Sequence, residues 1–396
     1  MEATNFAIEQ THKQAGLLWA WWAVVSRFLL HGLIISTWVS RIPALQTSLG
    51  LTNASLGLCL LGTAVGSVIA IPLTGWLVTR YGSKQVTVWS TLGFSVALVA
   101  PSLAVNAGTL FAALILFGAM AGTNDVAINA QGIAIEKATA SPTMSRFHAM
   151  FSIGGMVGAS LGGLVAARNI AAPFHLAVAS ALFLVLSLLT APWLFEARDN
   201  RKELSQSLRP SRIPPVLIML AALGFCMFLS EGAIADWTGV YLKQDLSANP
   251  GLAAAGYAIF STGMALFRLL GDAIATRLGP VRTVRAGALV AAAGLTLALT
   301  ATSPLSALPG FALTGAGFSV IVPLVFAAGG RVRSVGSGAG IAAVSGSGYI
   351  GFLFGPPLIG LIAQGTSLRI ALFVVVALSL LAASMANAVR ETSTAQ

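Results

Sequence analysis

The chain has 396 residues, 56% of them hydrophobic and 9% charged, with a mean hydropathy of +0.86. Soluble domains carry about 25% charged residues, so a water-soluble enzyme or binding module is excluded by composition. The net charge of +10 would suit a nucleic-acid partner, but the placement of the charges gives it another meaning.

Apolar runs of about 20 residues, the length that crosses a bilayer as a helix, can be laid out twelve times, near 18–38, 53–77, 86–103, 108–133, 147–167, 173–195, 214–235, 252–275, 284–301, 305–328, 338–363 and 369–388. The fold class read from this is an all-α integral membrane protein with twelve transmembrane helices. The stretch before the first run is polar, with Glu2, Glu9 and Lys13, and no small-residue cleavage pattern follows that run. The first span is therefore read as retained rather than as a signal peptide. With the N-terminus inside, sixteen Lys and Arg fall on the inner side, whereas Arg41, Arg168, Lys243 and Arg369 fall outside, and Arg27 and Arg268 lie within spans. This bias places both termini in the cytoplasm, in a plasma membrane of the bacterial inner-membrane kind. The basicity is topology, and no nucleic-acid partner is expected.

The hydrophilic stretch from Glu196 to Pro215 sits at the midpoint and holds Arg198, Arg201, Lys202, Arg209 and Arg212. It divides the chain into an N-terminal six-helix bundle over 1–195, a cytoplasmic linker over 196–213 and a C-terminal six-helix bundle over 214–396. Cys59 and Cys226 fall in spans of different halves. They read as small packing residues, not as a disulfide or metal site.

A repeat relates the halves. Thr79-Arg80-Tyr81-Gly82, followed by Lys84, returns 197 residues later as Thr276-Arg277-Leu278-Gly279, followed by Arg282. Gly66 matches Gly263, and Gly118-Ala119 matches Gly315-Ala316, at the same offset. In the fifth and eleventh spans the offset drifts to 193, pairing Ser152, Gly155, Gly158 and Gly162 with Ser345, Gly348, Gly351 and Gly355. Small residues at these spacings let helix backbones approach closely; such faces either pack permanently or slide during rocking. Internal repeats with the site between them are a hallmark of secondary transporters.

The six-plus-six layout, the long central loop and the Gly75-x-x-x-Thr79-Arg80-x-Gly82-x-Lys84 element resemble the major facilitator superfamily along essentially the whole chain. The resemblance implies two pseudo-symmetric bundles, a monomer, and a cytoplasmic gate at Arg80, Lys84, Asp272, Arg277 and Arg282. The family pattern has Asp where this chain has Thr79 and Thr276, which weakens that gate on its carboxylate side. In the fourth span, the order Asp125-x-Ala127-x-Asn129 resembles the fucose–proton symporter branch, where an acid here takes part in proton coupling. The polar start of the fifth span, Arg146-Phe147-His148, points the same way. Ile128 stands where drug exporters of the superfamily carry Arg before Gln131-Gly132, and Ala159 replaces the Pro of their fifth-span motif.

A charge at the bilayer centre costs at least about 2.5–3.5 kcal/mol on insertion scales, so each intramembrane ionisable group asks for a role. Arg27 and His31 share a face of the first span, and Asp125 and Asn129 share one on the fourth. Asp125 is the expected proton carrier, or else the partner in a permanent ion pair with Arg27 or His31. His31 is either a proton shuttle or a satisfied hydrogen-bond donor. Glu231 is expected in substrate binding or proton transfer, while Asp236 caps its span. Arg268 and Asp272, one turn apart, are expected to form an intrahelical or loop-tethering salt bridge. The residues expected to contact solute are Arg27, Asn124, Asn129, Gln131, His148, Trp38 and Trp237, the two tryptophans either stacking on a sugar face or anchoring at the interface.

No nucleophile elbow, zinc spacing or phosphate-cradling loop is present, so neither an enzyme, a cofactor nor a metal site is expected. The expected function is proton-coupled uptake of a small polar solute, a sugar or polyol, by alternating access. The competing expectations are proton-antiport export of an amphipathic compound or metabolite, and a non-transporting membrane sensor.

Overall fold

The computed structural model describes residues 2–139, 141, 143–196, 213–332 and 334–390. Among these residues twelve helical spans are long and apolar enough to cross a membrane: Gly16–Ser48, Asn53–Tyr81, Ser83–Leu103, Ala107–Thr139, Met144–Ala167, Ala172–Trp193, Pro215–Gln244, Pro250–Leu278, Pro280–Thr300, Pro304–Gly330, Gly338–Gly365 and Leu368–Val389. They are called the first to twelfth spans below. All of the expected linker except Glu196 and Ile213 lies outside the described residues, as does Arg333.

The helix starts follow from local chemistry. Thr52, Asn249 and Ser367 each accept a hydrogen bond from the backbone N–H three residues on, and Ser303 and Ser306 form a reciprocal capping box. Such caps satisfy N–H groups that have no partner inside the helix. The second and eighth spans stop at Gly82 (φ 84, ψ 150) and Gly279 (φ 77, ψ 156). Only glycine settles in that region, which explains the glycine in both copies of the repeated loop. A single residue then separates each span from the next.

Two spans depart from a simple rod. The first contains a break at Arg41 followed by the short helix Ile42–Ser48, which hydropathy missed because Gln46, Thr47 and Ser48 dilute it. The tenth is broken after Phe318 and resumes at Ile321.

The first span packs on the fifth and the second on the fourth, just as the seventh packs on the eleventh and the eighth on the tenth. The equivalence reaches single atoms. A Cβ on Gly66 would strike the Ile115 carbonyl, and one on Gly263 would strike that of Ala312; Gly118 abuts Thr63 as Gly315 abuts Phe260. Every one of these pairs is related by the offset of 197.

The structure corrects the drift to 193. Gly154 rests on the Leu29 carbonyl and the Leu33 N–H, while Gly351 rests on the Phe225 carbonyl and the Leu229 N–H. Gly158 lies over Leu33 and Gly355 over Leu229. The fifth and eleventh spans thus keep the 197 offset, and the first and seventh stand at 196. Glycines recurring every four residues let the sequence be aligned one turn out of register.

The halves meet through the fifth and eighth spans and through the second and eleventh. Their closest approach is at the end of the bundle away from the termini. There Gly57 abuts Pro356 and Gly360, and Gly163 abuts Gly251 and Ala254. Lys243 Nζ donates to the Pro43 carbonyl (3.1 Å) and to Thr47 Oγ1 (2.5 Å), and Gln244 donates to Gln46 (3.1 Å). Toward the termini, a Cβ on Gly75 of the second span, or on Gly338 or Gly346 of the eleventh, would meet nothing within 4 Å. The molecule is closed at the far end and looser at the terminal end.

Candidate functional site

At mid-depth the fourth and eleventh spans are joined by a polar contact. Asp125 Oδ2 accepts from Tyr349 Oη (3.2 Å), and Asp125 Oδ1 accepts from Asn129 Nδ2 (3.1 Å), one turn along the same helix. A second cross-half hydrogen bond joins the eighth and fifth spans, with Arg268 Nη1 donating to Ser152 Oγ (3.0 Å). Ser152 and Tyr349 occupy equivalent positions, 197 residues apart. The same place in each half therefore carries a hydroxyl that meets a charge from the other half.

Around these two bonds other ionisable groups gather. The Asp125 carboxylate interacts electrostatically with the imidazoles of His31 and His148, and Arg268 with His148, Glu231 and Tyr257. The Glu231 Oε1 atom is buried without a hydrogen-bond partner. Tyr257 shares a face with Ser261, and Gly155 of the fifth span leaves room for both. Elements from both halves thus build one cluster containing acids, a guanidinium, imidazoles and phenols. Charges in an apolar span are held this way, by facing one another across the bundle interior.

His31 also belongs to a separate network inside the N-terminal half. Its Nδ1 donates to Asn124 Oδ1 (2.8 Å), and Asn124 Nδ2 donates to Ser90 Oγ (3.1 Å) and Thr91 Oγ1 (2.7 Å). Since the amide oxygen accepts only, this bond puts the proton on Nδ1. The ring sits between Phe94 and Phe151.

Of the residues singled out in the sequence, Asp125, Asn129, His31, His148 and Glu231 come together here. Asn124 joins them through His31 but has its amide committed to Ser90 and Thr91. Others lie elsewhere. Arg27 is fully buried against the sixth span, donating to Ser187 Oγ and, at 2.7 Å, to the Ser187 carbonyl, rather than pairing with Asp125. Gln131 bonds Ser83 Oγ (2.7 Å) and both backbone groups of Phe195 (2.8 and 3.0 Å), clasping the fourth span to the chain after the sixth. Trp38 is buried against Phe117, and Trp237 is buried beside Gly360.

Near the terminal end, Arg80 lies over the rings of Trp76 and Tyr81, while Lys84 pairs with Glu196 (3.9 Å) and reaches the Pro192 carbonyl (3.4 Å). Asp272 and Arg277 are exposed, and Arg282 lines a shallow surface recess with Arg285, Asn387 and Arg390. The expected salt bridge between Arg268 and Asp272 does not form. Arg268 turns inward to Ser152 instead, and Asp272 is exposed.

Sequence reasoning missed Tyr349 and Tyr257, and misassigned Arg268. A signal existed for the phenols. The chain has four tyrosines, and two of them fall in mid-span, where a hydroxyl needs a partner. Among the described residues no group of three or more His, Cys, Asp or Glu is placed to hold a metal, and Cys59 and Cys226 are free and buried.

The chain matches the family model for the Major Facilitator Superfamily over residues 23–336 and again over 220–394. It is 36% identical over 369 residues to an uncharacterised MFS-type transporter of Yersinia pestis, covering 91% of this chain and 94% of that protein. It is 25% identical over 370 residues to a fosmidomycin resistance protein of Escherichia coli, covering 88% and 87%. Among solved structures it resembles a point mutant of the nucleoside transporter NupG, with a TM-score of 0.71 at 13% identity, covering 93% of this chain and 100% of that one. It also resembles a point mutant of the E. coli fucose:proton symporter FucP, with a TM-score of 0.65 at 17% identity, covering 93% and 98%. These structural likenesses carry the fold. The first family match alone covers well over half of the chain and the second carries it through the C-terminal half, so this multi-pass membrane protein belongs to the major facilitator superfamily of transporters.

Proposed function

We propose that the protein couples the movement of a small polar solute, a sugar or polyol, to protons, with Asp125 as the proton carrier. The observation that carries this reading is the hydrogen bond from Tyr349 to Asp125 across the two halves. A carboxylate can accept that bond in full when ionised and less well when protonated. Protonation therefore weakens one of the ties between the N-terminal unit, 1–195, and the C-terminal unit, 214–396, that oppose rocking. His31 and His148 are the neighbours able to pass a proton. Asn129 holds Asp125 oriented, and His148 and Glu231 face the same space as solute contacts.

In this reading the termini are cytoplasmic, in keeping with the charge bias of the loops, and the closed far end is the outer gate. Lys243, Thr47, Gln46 and Gln244 latch it. The basic loops at Arg80, Lys84, Arg277 and Arg282, with Asp272, form the inner gate when the molecule turns outward. The protein works as a monomer in a bacterial inner membrane. The likeness to FucP, a fucose:proton symporter, supports symport; the resistance relative supports a second reading, export by proton antiport.

A thermal-shift screen of sugars, polyols, nucleosides, organic acids and lipophilic cations identifies the solute. A ligand at a hundredfold its Kd stabilises the folded form by about 2.7 kcal/mol. Adding that solute outside weakly buffered proteoliposomes then separates the readings whatever the protein's orientation. Symport carries protons inward and makes the medium alkaline; antiport makes it acid. A hit confined to lipophilic compounds, followed by acidification, would replace the symport reading with export.

A further inference from the structure

Proton coupling at Asp125 does not by itself say what recognises the solute. Arg268 and Glu231 are the strongest candidates in the molecule, because their bonding is incomplete in complementary ways. Arg268 makes two hydrogen bonds, to Ser152 Oγ (3.0 Å) and to the Ser319 carbonyl (3.5 Å), out of the five N–H groups of a guanidinium. Glu231 Oε1 is buried with no partner at all. The two groups act on each other electrostatically, yet they are not within ion-pair distance. A structural brace would close that distance, since desolvating two charges is offset only by good geometry.

The chemistry of the pair selects its ligand. A guanidinium donates and a carboxylate accepts, so a group that satisfies both must accept from one and donate to the other. A hydroxyl does both, and two hydroxyls on neighbouring carbons can serve one partner each. Charge points the same way. With the imidazoles neutral, Asp125 protonated and Glu231 ionised, the charges of Glu231 and Arg268 cancel. An uncharged solute keeps the protonated trio neutral, whereas an acid or an amine does not.

We propose that Arg268 and Glu231 form the solute-recognition pair, that their ligand is an uncharged polyhydroxy compound with adjacent hydroxyls, and that binding draws Arg268 away from Ser152. This rests on the proton-coupled reading and completes it. The proton undoes the Asp125–Tyr349 tie and the solute undoes the Arg268–Ser152 tie, at equivalent places in the two halves. With both ties undone, the halves are free to rock; with one intact, they are held. Coupling then follows without any direct contact between proton and solute.

The test uses the purified full chain with D-glucose, D-xylose, L-fucose and myo-inositol, set against glucuronate and glucosamine as charged analogues. Glu231→Gln and Arg268→Lys are compared with wild type by ligand-induced thermal shift and by stability without ligand. The expected result is a shift with at least one neutral compound and none with the charged pair. Both variants should weaken that binding about 10- to 100-fold, as for lost hydrogen bonds to charged groups. Ligand-free Glu231→Gln should melt at or near wild type, because the buried Oε1 has no hydrogen-bond partner to lose; a brace would melt lower. Ser152→Ala should bind the neutral compound more tightly, since nothing competes for Arg268.

A neutral ligand that binds Glu231→Gln and Arg268→Lys as it binds wild type would overturn this pair and leave proton-coupled polyol transport standing. Binding of glucuronate or glucosamine in preference, or no shift with any neutral compound at millimolar concentrations, would overturn the pair and the polyol reading together. Glu231→Gln melting well below wild type without ligand would assign Glu231 to structure and overturn its recognition role.

Discussion

The two halves share a packing frame and differ in their chemistry. In the N-terminal half, His31, Asn124, Ser90 and Thr91 form a hydrogen-bonded network. Their counterparts in the C-terminal half, by the offsets of 196 and 197, are Met227, Ile321, Gly287 and Ala288. The reverse holds for Glu231 and Arg268, whose counterparts are Ile35 and Ile71. Glycine contacts are duplicated almost atom for atom, and polar residues are not. In the proposed reading, shared packing lets each half behave as a rigid body of similar shape, while divergence gives one half the proton chemistry and the other the solute chemistry. The interface is where the two meet, through Tyr349 on Asp125 and Arg268 on Ser152.

The largest effect should come from breaking the shared frame. A side chain added at Gly118 strikes the Thr63 backbone, and one at Gly315 strikes that of Phe260. Gly118→Val and Gly315→Val should each cost about 3 kcal/mol or more, above the usual range for overpacking, because backbone rather than a side-chain tip must yield. Similar losses of melting temperature in the two variants would confirm the duplicated frame. A tolerated change on one side would break it.

Exchanging the chemistry of the halves comes next. Asn124→Ile gives the N-terminal half its counterpart's residue and leaves His31 Nδ1 without its acceptor, while Ser90 and Thr91 keep only their bonds to the Thr87 carbonyl. It should destabilise by about 1–3 kcal/mol. Ile321→Asn places an amide where no such network exists and should cost a similar amount. Near-neutral results would mean that the network adds nothing to the N-terminal half.

The smallest effect is expected at the far-end latch. Lys243 reaches neutral acceptors, the Pro43 carbonyl and Thr47, so Lys243→Met should weaken closure by about 1 kcal/mol. Distances between spin labels across the far end would then show a larger open fraction, by roughly fivefold. An unchanged distribution would leave the latch to the glycine contacts and the Gln244–Gln46 bond.

Much of this architecture was legible in the sequence, for reasons that are local. Apolar length marks a span, and the repeated Thr-Arg-x-Gly loops announced themselves because Gly82 and Gly279 sit where other residues are strained. Asp125 and Glu231 stood out as charges in apolar runs. The partners were less visible. Tyr349 is 224 residues from Asp125, and Ser152 is 116 from Arg268; no local pattern fixes which faces of such distant helices meet. Arg268 was misread because a carboxylate one turn away is the nearest candidate on paper. Gln131 looked like a solute ligand because its type fits, yet its height on the fourth span brings it to Phe195 instead. The one-turn error in aligning the fifth and eleventh spans has the same root, since a glycine every fourth residue aligns equally well with itself shifted by four.

The central claim is that Asp125 carries the coupling proton. The most direct measurement is accumulation of the solute in proteoliposomes under an imposed inward proton gradient, for wild type and Asp125→Asn, alongside solute exchange without a gradient. Asn keeps the size of the side chain and, being neutral, stands in for the protonated acid with its weakened tie to Tyr349, but it does not titrate. Wild type should accumulate the solute under the gradient, the variant should not, and both should retain exchange. Accumulation by Asp125→Asn at the wild-type level would contradict the assignment.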